Sequence, residues 1–221
     1  MDARSLAMRV PRDLFALCVL ATAIGVAQPV HAEGSGGYLF GSVGQSKYDS
    51  VDIGGGMTVC DIFDPGSSCS ESNTGTGLKI GGGYRFNPYL AVEGAYAYLG
   101  EAKASGSGTI LGAPAAGEVK WTAGAIKAAA VGIIPIGNAF SVRGNIGFAF
   151  WNMDYSVSGL GGSDSDSDNG TSLTYGVGAQ WDFMKNLGVR LEWERFNDVG
   201  STDVTGQANV DLWSVGVVWS F

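Results

Sequence analysis

Histidine, cysteine and charge are all scarce in this 221-residue sequence: one histidine, three cysteines and 15% charged residues. Long apolar runs are missing too, the longest covering residues 14–27. A run of that length falls short of the roughly 20 residues that a membrane-spanning helix needs, which excludes a helical membrane protein. Acidic residues outnumber basic ones, 21 to 13, which makes the chain a poor partner for nucleic acid.

The apolar run has a different use. Arg4, Arg9 and Arg12 precede it, and Val30, His31 and Ala32 close it, the layout of a secretory signal. The expectation is a cleaved leader over residues 1–32 and a mature domain over residues 33–221. Cleavage takes three of the 13 basic and two of the 21 acidic residues, leaving 10 and 19 and a formal charge of −9. It also removes His31, the only histidine, so the usual general base for serine-type hydrolysis is gone and no enzymatic activity is expected. Cys18 leaves as well; Phe15-Ala16-Leu17 before it lacks the small residues that precede a lipid-modified cysteine. Cys60 and Cys69 remain, and an even pair in an exported chain reads as a disulfide closing one short loop. Two thiols without histidine are a weak ligand set, so neither metal nor cofactor is expected.

Glycine (36 residues), aromatic side chains (11%) and hydrophobic residues (45%) are plentiful, which excludes a disordered chain. Their arrangement has period two, the signature of strands. Residues 207–221 put Trp213, Val215, Val217, Trp219 and Phe221 on one face, opposite Leu212, Ser214, Gly216, Val218 and Ser220. Residues 38–46, 76–86, 89–100, 139–155, 171–183 and 187–196 alternate in the same way. The alanine-rich residues 118–134 alternate less clearly, but Gly124 and Gly132 inside them argue for a strand over a helix. Short links at 87–88, 135–138 and 184–186 alternate with long polar ones at about 47–73, 101–117, 156–170 and 197–206. With eight strands, this places both termini and all short turns on one side and the long loops on the other.

Alternation alone does not say which face meets water. In a soluble barrel the apolar face points inward; in a membrane barrel it points to lipid, and Lys79, Arg85, Glu93, Arg143, Asn145, Gln180, Asp182, Arg190, Glu192 and Glu194 fill the lumen. The heights of the aromatics favour the membrane. Tyr84, Phe86, Tyr89, Phe140, Trp181, Phe183, Trp219 and Phe221 gather near the short turns; Tyr96, Tyr98, Trp121, Phe150, Tyr175, Trp193 and Trp213 gather near the long loops. Two girdles mark two interfaces. The expected fold is therefore all-β: an eight-stranded antiparallel up-and-down transmembrane β-barrel with short periplasmic turns and four long extracellular loops.

Among candidate sites, Lys79, Glu93, Arg143, Arg190, Glu192 and Glu194 form a lumen charge network, because ions in so narrow an interior must be paired. Such a network can act as a rearranging gate or as a polar plug, and eight strands leave little room for a channel. Residues 164–170 (DSDSDNG) invite a calcium reading, but the glycine comes one position late and the closing glutamate is missing, which favours a solvated acidic loop. Gly75-Thr76-Gly77 and Gly81-Gly82-Gly83 lack the helix that a phosphate-binding loop requires.

The export signal, eight alternating strands, loop asymmetry and the closing Val217-Val218-Trp219-Ser220-Phe221 resemble the OmpA-like eight-stranded outer-membrane β-barrel family, the outer membrane protein beta-barrel domain. The resemblance implies the outer membrane of a Gram-negative bacterium, with outer-membrane lipids and lipopolysaccharide as surroundings. It further implies that Val217, Trp219 and Phe221 form the assembly signal read by the barrel-assembly machinery. A structural or surface-interaction role follows, with host or surface ligands met through the loops. A small-solute or ion channel of low conductance and a secreted soluble β-barrel binding protein stand as alternatives. Some relatives continue into a periplasmic peptidoglycan-binding domain; this sequence ends with the barrel, so cell-wall binding is not carried over.

Overall fold

The computed structural model describes residues 35–49, 59–110, 113–159, 162–201 and 206–221. The expected leader and residues 50–58 of the first long connection lie outside them. The described chain is almost entirely strand: β1 (Gly36–Tyr48), β2 (Ser68–Ser72), β3 (Thr74–Asn87), β4 (Leu90–Ile110), β5 (Ala113–Ile136), β6 (Phe140–Gly159), β7 (Gly162–Asp182), β8 (Leu187–Ser201) and β9 (Gly206–Ser220). A 3-10 turn, Val59–Ile62, precedes β2.

β1 pairs antiparallel with β3, each strand from β3 to β9 pairs antiparallel with the next, and the ring closes where β1 meets β9, from Tyr38 opposite Ser220 to Tyr48 opposite Val210. The ninth strand does not add a ninth position. β2 ends one residue before β3 begins, and it pairs with the upper part of β4 (Ser68 opposite Ser107, Ser72 opposite Lys103), so β2 and β3 together fill one of eight places. Closure leaves the spanning part of the sheet without a free edge, as lipid requires. The short links are tight: Tyr89 N donates to the Asn87 side chain (2.8 Å), and Met184 and Leu187 exchange backbone hydrogen bonds.

In the lower half the strands present apolar residues outward. Ile80 is 68% exposed, and Val43, Phe148, Val177, Leu191 and Val215 share its face, while Lys79, Glu93, Arg143, Arg190 and Glu192 are buried. That is inverted relative to a water-soluble barrel. All eight aromatics expected near the short turns lie exposed on the outside; Phe140 stacks on Trp181 with centroids 5.9 Å apart. At the other end Trp213 is exposed, and a row of rings crosses three strands, Tyr175 to Trp193 (6.0 Å) to Trp213 (6.4 Å). Trp121 departs from its expected place in this girdle. It is buried inside, because it shares the parity of the inward-facing Lys127 on β5.

Above the upper girdle the polarity reverses. Tyr48, Leu99, Ala102, Trp121, Trp151, Met153, Phe196, Val199, Val210 and Leu212 form an apolar core on the inside, while Lys103, Ser105, Asp154 and Ser156 face out. Two bulges help the switch. The β4 register shifts between Tyr98 and Glu101, where Gly100 takes φ +78°, and the inward set passes from odd residues (Ala97, Leu99) to even ones (Ala102, Ala104). On β8 the shift lies between Phe196 and Val199, with Asp198 at φ 49°. Glycine adopts that conformation freely, and aspartate tolerates it better than most residues.

The regions expected to be irregular loops at 101–117 and 156–170 are ladder instead. β4 stays paired with β5 as far as Ile110 opposite Ala113, and β6 with β7 as far as Gly159 opposite Gly162. Strands of 21 and 24 residues far exceed the roughly 9–11 that cross a bilayer. About half of each hairpin therefore projects beyond the membrane as regular sheet.

Candidate functional site

The lumen of the spanning half holds two tiers of charge. In the lower tier the Glu93 carboxylate is the hub. Its Oε1 accepts from Tyr38 Oη (2.7 Å), from Arg190 (3.0 Å) and, at close contact, from Arg143. Gln180 Oε1 joins the two guanidiniums, accepting from Arg143 at 2.8 Å and Arg190 at 3.2 Å, while its amide donates to Asp182 at 2.7 Å. In the upper tier Glu194 lies between Lys79 and Lys127, in close contact with both. Glu192 touches Lys79 and accepts from Asn145 (2.9 Å), and Lys127 also donates to Asn145 (3.3 Å). The Phe40 ring separates the tiers, with the Arg190 guanidinium 4.8 Å and the Lys79 ammonium 5.7 Å from its centroid.

Short-range sequence explains these positions. Glu192 and Glu194 are two residues apart on β8 and share its inward face, as do Arg143 and Asn145 on β6. Gly81 and Gly83 on β3 clear the floor for β1: a Cβ on Gly81 would stand 2.6 Å from the Phe40 ring, and one on Gly83 2.5 Å from the Tyr38 ring. The triple glycine is a packing device in a strand. All six residues of the expected network are buried in this lumen, but not as one cluster. Glu93, Arg143 and Arg190 form one group, and Lys79, Glu192 and Glu194 form the other.

Sequence reasoning missed Lys127, only 1% exposed, and Tyr38. Lys127 sits in the alanine-rich stretch where apolar contrast between faces is weakest. The signal that could have found it is its even spacing from Trp121, Ala125 and Val131 once any one of them is placed.

Little space remains. A cavity beside Phe40, Lys79, Arg190, Glu192 and Ser214 measures about 10 Å³, at the lower limit for one water. Above the upper tier, Leu212, Phe196, Leu99 and Trp121 belong to the apolar core; Tyr38, Ala91, Val131, Ile133 and Val218 form a second cluster in the lower lumen. Such an interior resists ions in both directions, since a charge entering an apolar layer loses its hydration without gaining partners.

At the distal end, Cys60 and Cys69 are joined as a disulfide with Cα atoms 5.7 Å apart, tying the 3-10 turn to β2. The turn docks on the tip of β4: Asp64 N donates to Thr109 O (2.9 Å), Thr109 N to Ser67 Oγ (3.0 Å), and the Phe63 ring packs over Gly106. On the β6–β7 hairpin, partial burial and the Asp164 carboxylate push the Tyr155 hydroxyl above its ordinary pKa.

An apolar belt outside, a paired-charge lumen and a closed ring define a transmembrane β-barrel with a plugged interior. The chain belongs to the outer membrane protein beta-barrel domain family, whose model matches residues 16–221, and the protein is thus one of the bacterial outer membrane. Outer membrane protein A of Klebsiella pneumoniae is 28% identical over 195 residues, covering 83% of this chain and 50% of that protein. Outer membrane protein A of Salmonella typhi is 32% identical over 158 residues, 68% of this chain and 41% of the relative. The chain thus spans half or less of the length of these relatives. Among solved structures it is similar to Neisserial surface protein A (TM-score 0.52, 17% identity, 86% of this chain and 100% of that one). It is likewise similar to Ail, the attachment invasion locus protein of Yersinia pestis (TM-score 0.50, 21% identity, 86% and 99%).

Proposed function

We propose that this barrel is a structural and surface-interaction element of the outer membrane: an anchor below and a displayed, folded surface above. The observation that carries this reading is the reversal of polarity at the upper girdle. Below it the interior is charged and the exterior apolar; above it the interior is apolar and the exterior bears Lys103, Ser105, Lys120, Asp154 and Ser156. A channel has no use for an apolar core across its mouth, whereas a water-exposed recognition surface needs a packed core to hold it rigid.

Several steps belong to the same reading. The leader is removed after Ala32. The assembly machinery reads Val217, Trp219 and Phe221, which all stand exposed on the lipid side at the end of the chain. Lipopolysaccharide surrounds the upper girdle, and the barrel performs no catalysis.

The test has two arms. Replacing residues 103–120 by a short turn should preserve heat-modifiable gel mobility and membrane insertion but abolish adhesion of expressing cells to a ligand-coated surface. Purified barrel in planar bilayers should show no steady conductance. Large stable channels, or unchanged adhesion after trimming both projecting hairpins, β4–β5 and β6–β7, would sink the proposal.

A further inference from the structure

The acidic run at residues 164–168 has no place in the anchor or in the core, and aspartate is among the residues most depleted in strands. Its setting explains it. β7 is paired on both sides only from Thr174 to Asp182; from Gly162 to Leu173 it pairs with β6 alone among the described residues. Ser172 and Leu173 still reach β8 through Asp198 and Asn197, which leaves among the described residues an open strand edge about ten residues long at the cell surface, a template for pairing with another chain.

Two side-chain contacts show which backbone groups line the open side. Leu173 O accepts from Asn197 Nδ2 on β8 (3.3 Å), while Asp168 O accepts from Asn152 Nδ2 on β6 (3.4 Å). Odd-numbered residues of β7 therefore point their N–H and C=O groups away from β6, as alternation in an antiparallel ladder requires. Three of these outward N–H groups are already occupied. Ser165 N donates to Asp164 Oδ1 (2.9 Å), Ser167 N to Asp166 Oδ1 (2.8 Å) and Asn169 N to Asp168 Oδ1 (2.8 Å). Each aspartate precedes an outward N–H by one residue and covers it. The carboxylates are spread along the edge; among the described residues no group of acids is arranged to hold a metal ion.

We propose that the Asp-Ser repeat is an edge seal: Asp164, Asp166 and Asp168 cap the free edge of β7 and keep it from pairing with the same edge of a second copy. A second copy is the partner to exclude because an antiparallel edge is complementary to itself, donor to acceptor, and every copy displays the same one. Self-pairing centred on Asp166 would set Asp164 opposite Asp168 in both directions, so the seal combines occupied donors with like charges.

The experiment is the protein mass of full-length barrels in detergent, by light scattering, with heat-modifiable mobility reporting the fold. Wild-type protein should be monomeric. Replacing all three aspartates by threonine, which favours strand and carries no carboxylate, should double the mass. Replacing them by asparagine, whose amide oxygen still accepts the N–H, should leave a monomer. Adding Ser167→Pro to the threonine variant removes an outward N–H without touching the β6 ladder and should restore the monomer. A folded threonine variant that stays monomeric would overturn the proposal, as would a dimer indifferent to Ser167→Pro or an asparagine variant that dimerises as fully as the threonine one. If the triple variant does not fold, Asp166→Thr with Asp168→Thr is judged by the same outcomes.

Discussion

Replacing Glu194 by glutamine tests whether the lumen is the dry, paired interior described above. Glu194 is fully buried and contacts both Lys79 and Lys127. In the substituted protein Lys79 keeps Glu192, but Lys127 loses its contacting carboxylate and keeps neutral hydrogen-bond partners, the introduced amide oxygen and the Asn145 oxygen at 3.3 Å. The buried charges of the two tiers go from four cations against three carboxylates to four against two, with the less buried Asp182 at the rim unchanged. Removing one partner of a buried pair costs about 3 to 5 kcal/mol, because it strands the other charge. The assay is reversible unfolding by urea or guanidinium in lipid vesicles, followed by tryptophan fluorescence and gel mobility, comparing midpoints at equal slope. Lys127→Met joined to Glu194→Gln removes the stranded charge and should recover most of the loss, to within about 1 kcal/mol of wild type, since an apolar replacement of a buried pair is often neutral. A loss below about 1 kcal/mol for Glu194→Gln, or a double variant as weak as the summed singles, would show that water solvates these groups and that the plug is not dry.

Three further outcomes are expected. Trp121→Ala opens a hole in the upper core and should cost about 3 to 5 kcal/mol, whereas Trp213→Ala on the lipid side should cost clearly less in the same unfolding assay. Reducing the Cys60–Cys69 disulfide should free the Val59–Ile62 turn from β4, a loss of about 2 to 3 kcal/mol confined to that turn; protease nicking there should rise while the barrel midpoint stays put. Deleting Phe221 should lower membrane insertion far more than Phe221→Tyr; equal insertion of the two would remove this residue from the assembly signal.

The spanning half was legible because each of its strands separates a lipid-facing side from a lumen side, and the contrast survives even where glycine is frequent. Phe140 to Phe150 on β6 and Trp213 to Trp219 on β9 show it most clearly. The projecting half was not legible for the opposite reason. Residues 101–117 and 156–170 carry glycine, serine and aspartate, which are poor strand formers, and they read as loop because pairing with a neighbour, not intrinsic preference, holds them extended. The bulges at Gly100 and Asp198 added a second obstacle, since each changes which residues face inward in mid-strand. In the lumen, charges on strongly alternating strands were found, and Lys127, flanked by Ala125, Ala128, Ala129 and Ala130, was not.

The reversal of polarity at one height also makes the protein a depth gauge. From Trp213 on β9 to Phe221 just past its end, the lipid face spans eight residue steps, roughly 20 Å of vertical rise for a strand tilted as barrel strands are. Sliding outward would lift valines into water, and sliding inward would drag Lys103, Lys120 and Asp154 into hydrocarbon. Helical membrane proteins relieve such a mismatch by tilting; a closed ring fixed at both girdles has no comparable freedom. Around this protein it is the bilayer that must thin or thicken, and membrane thickness becomes a property that the barrel imposes on its neighbours.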